Sequence, residues 1–321
     1  MLAYTVKRLV QMAIVLWAVS VIVFLMMSFT GDPVFMVIPI DSTDAEIEQA
    51  RRILGLDRSM PEQYLVFLQN LVQGDFGRSY VFRQPAMDLI LERLPATLEL
   101  VVVAMLIAAV VAIPLGVYAG ANPGKPLSRL IMSGSLVGIS LPGFWVGMML
   151  IFLFAVEWRL LPSSGRGDTV EVFGLRTSLL TWDGWTHVIL PSVTLCLGTL
   201  AIILRITRAG MMEVMRQDYI KFARAKGASR KDVLYGHGLR NALIPVVTIF
   251  GLQVGDLIAF ATITETIFAW PGMGKLLVDS IYRADRPVIV VYLMLVALIF
   301  VVINFVVDLV YTAIDPRITV K

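Results

Sequence analysis

The chain has 321 residues, 58% of them hydrophobic and only 16% charged, with a mean hydropathy of +0.80. A soluble domain of this length needs far more polar surface to cover its core, so that class is excluded. The net charge of +3 is too small to indicate a nucleic-acid partner; where the charges sit matters more than their sum.

The first apolar run, Leu9–Phe29, follows Lys7 and Arg8. It is longer than the core of a secretory signal and no Ala-x-Ala site follows, so it reads as a retained anchor. The next segment, Thr30–Ala96, is acid-rich: Asp32, Asp41, Asp44, Glu46, Glu48, Asp57, Glu62, Asp75, Asp88 and Glu92. Within it, Asp44–Leu54 and Pro61–Val72 have helical apolar spacing, and Gly74-Asp75-Phe76-Gly77 reads as a turn. This segment is expected either to form an external docking surface for a partner protein or to cap the span ends.

Five more apolar runs follow, at Leu98–Ala119, Leu130–Val156, Val188–Ile206, Leu243–Phe268 and Val288–Tyr311. Each approaches or exceeds the roughly 20 residues needed to cross the hydrocarbon of a bilayer. The expectation is an all-α polytopic membrane protein with six transmembrane helices. In the third span, Gly134-x-x-x-Gly138 and Gly143-x-x-x-Gly147 suit close helix packing, and Pro142 offers a kink or hinge between them. Cys196 lies in an apolar run as a small packing residue, and as the lone cysteine it forms no internal disulfide. Trp270-Pro271-Gly272 reads as an interfacial aromatic followed by a turn.

Polar residues inside spans are candidates for a solute path, because a charge facing lipid costs several kcal/mol. Gln253 and Asp256 are three residues apart and share a helix face, and Glu265 lies near the far end of the same span. They are assigned to the path or to a contact with a partner subunit, with a structural hydrogen bond between helices as the alternative. Asn304 and Asp308 in the last span read as interhelical or interfacial contacts.

Basic residues fix the expected orientation. Lys7 and Arg8, Lys125 and Arg129, the loop after the fourth span, and Arg317 with Lys321 all fall on one side of a six-span chain. The positive-inside rule makes that side cytoplasmic, together with both termini. The loop Glu213–Pro245 reads EVMRQDYIKFARAKGASRKDVLYGHGLRNALIP. On a helix, Met215, Tyr219 and Phe222 share a face; Gly227 fits a left-handed cap, and Ser229 with Asp232 opens a second helix. A short protruding helix with aromatic anchors and a basic rim suits a cleft on a partner protein, or else lies against anionic lipid headgroups.

Catalytic constellations are missing from the sequence. Gly120–Pro126 and Gly272–Lys275 both fail the phosphate-loop spacing, so the chain itself shows no nucleotide site. His187 and His237 are too few and too far apart in sequence to suggest a metal cluster. No H-E-x-x-H or G-x-S-x-G motif occurs, and the chain is expected not to be an enzyme.

The loop resembles the EAA loop of type I ABC-importer permeases, specifically the dipeptide/oligopeptide/nickel branch. The matching residues are Asp218-Tyr219, Ala223-Arg224-Ala225-Lys226-Gly227, His237 and Leu239–Pro245. Similarity continues through Gly31-Asp32-Pro33, Gly55-Leu56-Asp57, Gly74–Ser79, Leu94–Leu100, Gly251–Gly255, Glu265–Gly274, Val307–Tyr311 and Asp315-Pro316-Arg317. Lys221 stands where the general pattern has glutamate, and the proline lies farther beyond the glycine; the peptide branch shares both features.

The resemblance implies a bacterial inner-membrane subunit of a type I importer, with no cofactor of its own. It implies a homologous second permease, two ATPase subunits that bind ATP and Mg, and an external solute-binding protein. Met215, Asp218, Tyr219, Phe222, Ala223, Arg224, Ala225, Lys226 and Gly227 would then couple to the ATPase. The expected layout is a first helix in 1–29, an external segment in 30–96, and a permease core in 97–312. The coupling loop falls at about 208–243 and a cytoplasmic tail at 313–321. Dipeptides or oligopeptides are the expected solute, with nickel chelates, glutathione or another small solute as alternatives. A stand-alone secondary transporter or channel is the alternative of a different class.

Overall fold

A computed structural model describes residues 2–29, 34, 38 and 42–314, with side chains described only within 6–309. In chain order it contains helices α1 (Leu2–Phe29), α2 (Asp44–Ile53), α3 (Met60–Gln73), α4 (Ala86–Ala121), α5 (Pro126–Ser140) and α6 (Gly143–Leu150). A short antiparallel hairpin follows, β1 (Val170–Val172) with β2 (Leu175–Thr177), in the register Val170–Thr177. The chain continues with α7 (Trp182–Val214), α8 (Asp218–Ala225), α9 (Arg240–Ile267), α10 (Met273–Tyr282) and α11 (Arg286–Ile314). Wide π turns extend α6 through Ile151–Glu157 and precede α9 at Asp232–Leu239.

Five of these helical stretches are long and apolar enough to cross a membrane, and six if α5 and α6 count as one span. The third expected span is therefore not one helix: α5 and α6 meet at 102°. Pro142 lacks an N–H and drives Leu141 into the extended region (φ −85°, ψ 133°), which ends α5. The glycines there also differ from expectation. Among the described residues, a Cβ added at Gly134, Gly138 or Gly143 would meet nothing within 4 Å, and only Gly147 of the four packs closely, against Thr194 and Phe268. The close approach is instead made by Gly116 and Gly120 of α4, where an added Cβ would sit 2.9 Å from Leu204 O and 2.7 Å from Arg208 O of α7. The described residues form two compact units.

One unit comprises Met1–Leu94 and Met273–Val302. Val23, Val290 and Met294 are its buried centre, with Val19, Phe67 and Leu71 packed on them. Helix α3 lies on α1 through the Phe24, Tyr64 and Phe67 rings and through a 2.9 Å hydrogen bond between Ser20 Oγ and Tyr64 Oη. Both α2 and α3 open with capping boxes, Thr43 with Glu46 and Ser59 with Glu62. These hydrogen bonds hold both glutamate carboxyls below the usual range. Because the folded pKa values are lowered, the caps stabilise the helices above about pH 4 and are lost as pH falls through the lowered values. Hydrogen-exchange protection at the first turns of α2 and α3, taken relative to the intrinsic exchange rate at each pH, should accordingly fall on acidification, and protection that does not change with pH would contradict the capping account.

The other unit comprises Pro95–Gly272 and Ile303–Lys321. Its most extensive packing is α7 on α9, with α5 and α6 also against α7. Val117, Met211 and Ala242 form a buried cluster between α4, α7 and α9. Helix α7 continues well past the predicted span end at Ile206, because Thr207 and Met211 bury themselves on one face as the opposite face turns polar.

Candidate functional site: the α8 stub and the polar groups of the spans

Helix α7 stops at Val214, and a turn over Met215–Gln217 redirects the chain into α8. Asp218 occupies the first turn of α8 and accepts a 2.8 Å bond from Lys221 Nζ, while Arg224 occupies the last turn. Both placements complement the helix dipole. The Lys221 bond holds the Asp218 carboxyl below its ordinary range. Gly227 ends the helix in the left-handed region at φ +83°, where L side chains are strained. Ser229 then caps the following helix, accepting from Asp232 N–H at 3.2 Å and donating to Asp232 Oδ2 at 2.6 Å.

Ile220, fully buried, anchors the stub. Tyr219 is 42% exposed and Phe222 61% exposed, and Lys226 Nζ lies 4.5 Å over the Phe222 ring. Asn241 Nδ2 donates to Tyr219 Oη at 2.7 Å, tying the stub to α9. Asp218, Lys221, Arg224, Ala225, Lys226 and Gly227 are exposed, and Ala223 is half-buried. Met215 corrects the expected shared face. It lies at the end of α7, half-buried on the Val117–Met211–Ala242 cluster, because the turn before α8 separates it from Tyr219 and Phe222. Ile220 escaped the sequence reading because one aliphatic residue among basic neighbours carries no periodic signal.

The span residues separate into two environments. Gln253 Nε2 donates to Thr199 Oγ1 of α7 at 3.1 Å, so it joins two helices. The same residue lines a cavity of about 440 Å³ together with Asp256, Thr194, Gly198, Phe260 and Gly138. Asp256 itself is exposed on α9. Glu265 is a correction: it is fully buried and faces no open path. Thr97 Oγ1 donates to its Oε1 at 2.5 Å, and a Cβ on Gly272 would overlap its carboxylate. Trp270 is also buried rather than interfacial, donating from Nε1 to Ala96 O at 2.9 Å, while its N–H donates to Glu265 O at 2.8 Å. Together these contacts fasten the end of α9 to the Ala96–Thr97 turn of α4.

A second buried carboxylate, Glu99, was not singled out by sequence. Arg166 Nε and Nη2 each reach one of its oxygens at 2.9 Å, and Ser178 donates from N–H at 2.9 Å and from Oγ at 2.8 Å. Arg166 also donates to Arg176 O at 2.6 Å, so the pair pins the β1–β2 hairpin to α4. The available signal was a glutamate inside an apolar run, which demands a partner.

Comparison with known proteins decides what this arrangement belongs to. Residues 112–320 match the family described as binding-protein-dependent transport system inner membrane component, and residues 1–101 match the N-terminal model of such membrane components. The chain belongs to this family of ABC-importer permease subunits. The di/tripeptide transport system permease protein DppB of Pseudomonas aeruginosa is 42% identical to it, over 99% of both chains. The glutathione transport system permease protein GsiC of Escherichia coli K12 is 41% identical over 100% of both. Among solved structures, the inward-facing MetNI methionine ABC transporter shares the fold at a TM-score of 0.58 and 20% identity, over 72% of this chain and 98% of that one. Membership removes the stand-alone channel or secondary transporter.

Proposed function

We propose that this permease forms half of a pathway for di- and tripeptides and receives force from separate ATPase subunits through α8. The reading has the chain paired with a homologous second permease, two ATPases holding ATP and Mg, and an external binding protein delivering solute. The α8 end and both termini are cytoplasmic, as the basic loops favour. The observation that carries the coupling role is the exposure of Tyr219 and Phe222 on a stub anchored by Ile220. Exposed aromatics beside a cationic rim are the groups that fill clefts on partner proteins. Full-length identity above 40% to a di/tripeptide permease favours the peptide class. Glutathione, itself a tripeptide, is the second reading, favoured by the similar match to a glutathione permease.

Asp256 supports a water-filled or partner-lined face on α9, since an exposed carboxylate against lipid is costly. In cells whose only peptide importer contains this chain, Asp256→Leu should cut uptake of a labelled dipeptide by about ten-fold without loss of membrane assembly. Unchanged uptake would remove the residue from the path and from the partner contact alike. Uptake of glutathione but of no dipeptide by the unaltered importer would transfer the reading to the second class.

A further inference from the structure

The unit formed by Met1–Leu94 and Met273–Val302 holds a chamber that serves neither α8 nor the polar groups of α9. A cavity of about 760 Å³ opens where α1 and α3 end and α11 begins. Arg78, Arg83 and Arg286 line it, and Asp75 is the one carboxylate among the described lining residues. The Asp75 Oδ1 already accepts a 2.9 Å bond from Gly77 N–H. The rest of this wall is largely apolar, with Phe24, Phe67 and Val290.

Beside it lies a second cavity of about 340 Å³, bounded by Trp17, Leu68 and Met294. Both cavities share Leu71 and Phe76 as walls. Ser20 carries the one hydroxyl among the described residues lining this second cavity, and it is already bonded to Trp17 O and Tyr64 Oη. A cationic cavity therefore adjoins a largely apolar one across Leu71 and Phe76. The turn that carries the arginines is held rigidly: Ser79 Oγ and Tyr80 N–H both donate to Asp285, next to Arg286, and Arg78 Nη2 donates to Arg83 O at 2.7 Å. The chamber borders α1, most of whose spanning stretch is not buried within this chain.

We propose that this chamber is a binding site for an anionic phospholipid, with the headgroup phosphate on the arginines and an acyl chain passing Leu71 and Phe76 into the second cavity. Guanidinium groups match phosphate oxygens by geometry as well as charge. A free phosphate would use the cationic cavity alone and give the apolar one no role. The proposal needs only that the chain resides in a membrane; it does not rest on the coupling or peptide readings.

Native mass spectrometry of the full-length permease, released in mild detergent with its partner subunits, tests it. Phosphatidylglycerol should be retained over phosphatidylcholine of the same chain length by roughly five-fold or more. Arg83→Gln alters an exposed side chain and should lower phosphatidylglycerol retention by about five-fold, whereas Arg83→Lys should keep most of it. Leu71→Trp, which fills the passage, should release both lipids, and inorganic phosphate should not displace the bound lipid. An unchanged unfolding midpoint shows that Arg83→Gln is folded. Equal retention of the two lipids would overturn the proposal. So would wild-type retention by both Arg83→Gln and Leu71→Trp, or displacement by inorganic phosphate alone.

Discussion

Gly227→Pro should abolish peptide uptake while ATP hydrolysis by the assembled importer continues without response to solute. Gly227 sits at φ +83°, and its N–H donates to Arg224 O at 3.0 Å. Proline fixes φ near −65° and removes that donor, so the turn between α8 and the next helix cannot keep its direction. An ordinary L residue is expected to cost about 1–2 kcal/mol in this backbone region, so Gly227→Ala should slow uptake only in part. The side chains of Tyr219 and Phe222 remain available in either variant but point elsewhere in the first. Parallel measurement of uptake and ATPase rate in proteoliposomes distinguishes uncoupling from loss of protein. Normal coupled transport by Gly227→Pro would mean that α8 carries no force.

The largest stability effect is expected at the Glu99–Arg166 pair. Both side chains are at most 10% exposed, and every Glu99 oxygen is engaged by Arg166 or Ser178. Arg166→Ala leaves a buried carboxylate without its charge partner, a change worth roughly 3–5 kcal/mol. The unfolding midpoint in detergent should drop accordingly, and the β1–β2 hairpin should become sensitive to protease. Pairing Arg166→Met with Glu99→Gln removes both charges, and much of the loss should return. A midpoint unchanged in Arg166→Ala would show that the pair is solvated rather than structural.

The spans were legible because hydropathy over roughly 20 residues is a strong signal: α1, α4 and α11 contain the expected runs, and α9 covers all but Phe268 of its own. Their ends were less so. Helix α7 runs on to Val214 as an amphipathic stretch, which a span search discards as loop. The α5–α6 break turns on Pro142, whose effect depends on whether neighbouring helices re-satisfy the freed backbone. Three-residue strands such as β1 and β2 carry too short an alternation to be seen. At the site, Gly227, Ser229 and Asp232 were readable because caps are local chemistry. Glu265 and Trp270 were not, since their burial depends on Thr97 and Ala96, over 160 residues away in sequence. Met215 failed for a related reason: the helix period was carried across a turn that only tertiary packing creates.

A separate nucleotide-driven motor is expected to touch this chain at α8. Phe222→Cys provides the direct test, because the native Cys196 is buried and adds no background. In the assembled importer, a short bifunctional crosslinker should join residue 222 to an ATPase subunit, with a yield that changes on ATP binding. In intact cells the same cysteine should resist a membrane-impermeant thiol reagent. Labelling from outside the cell, with no adduct to any ATPase, would contradict the account.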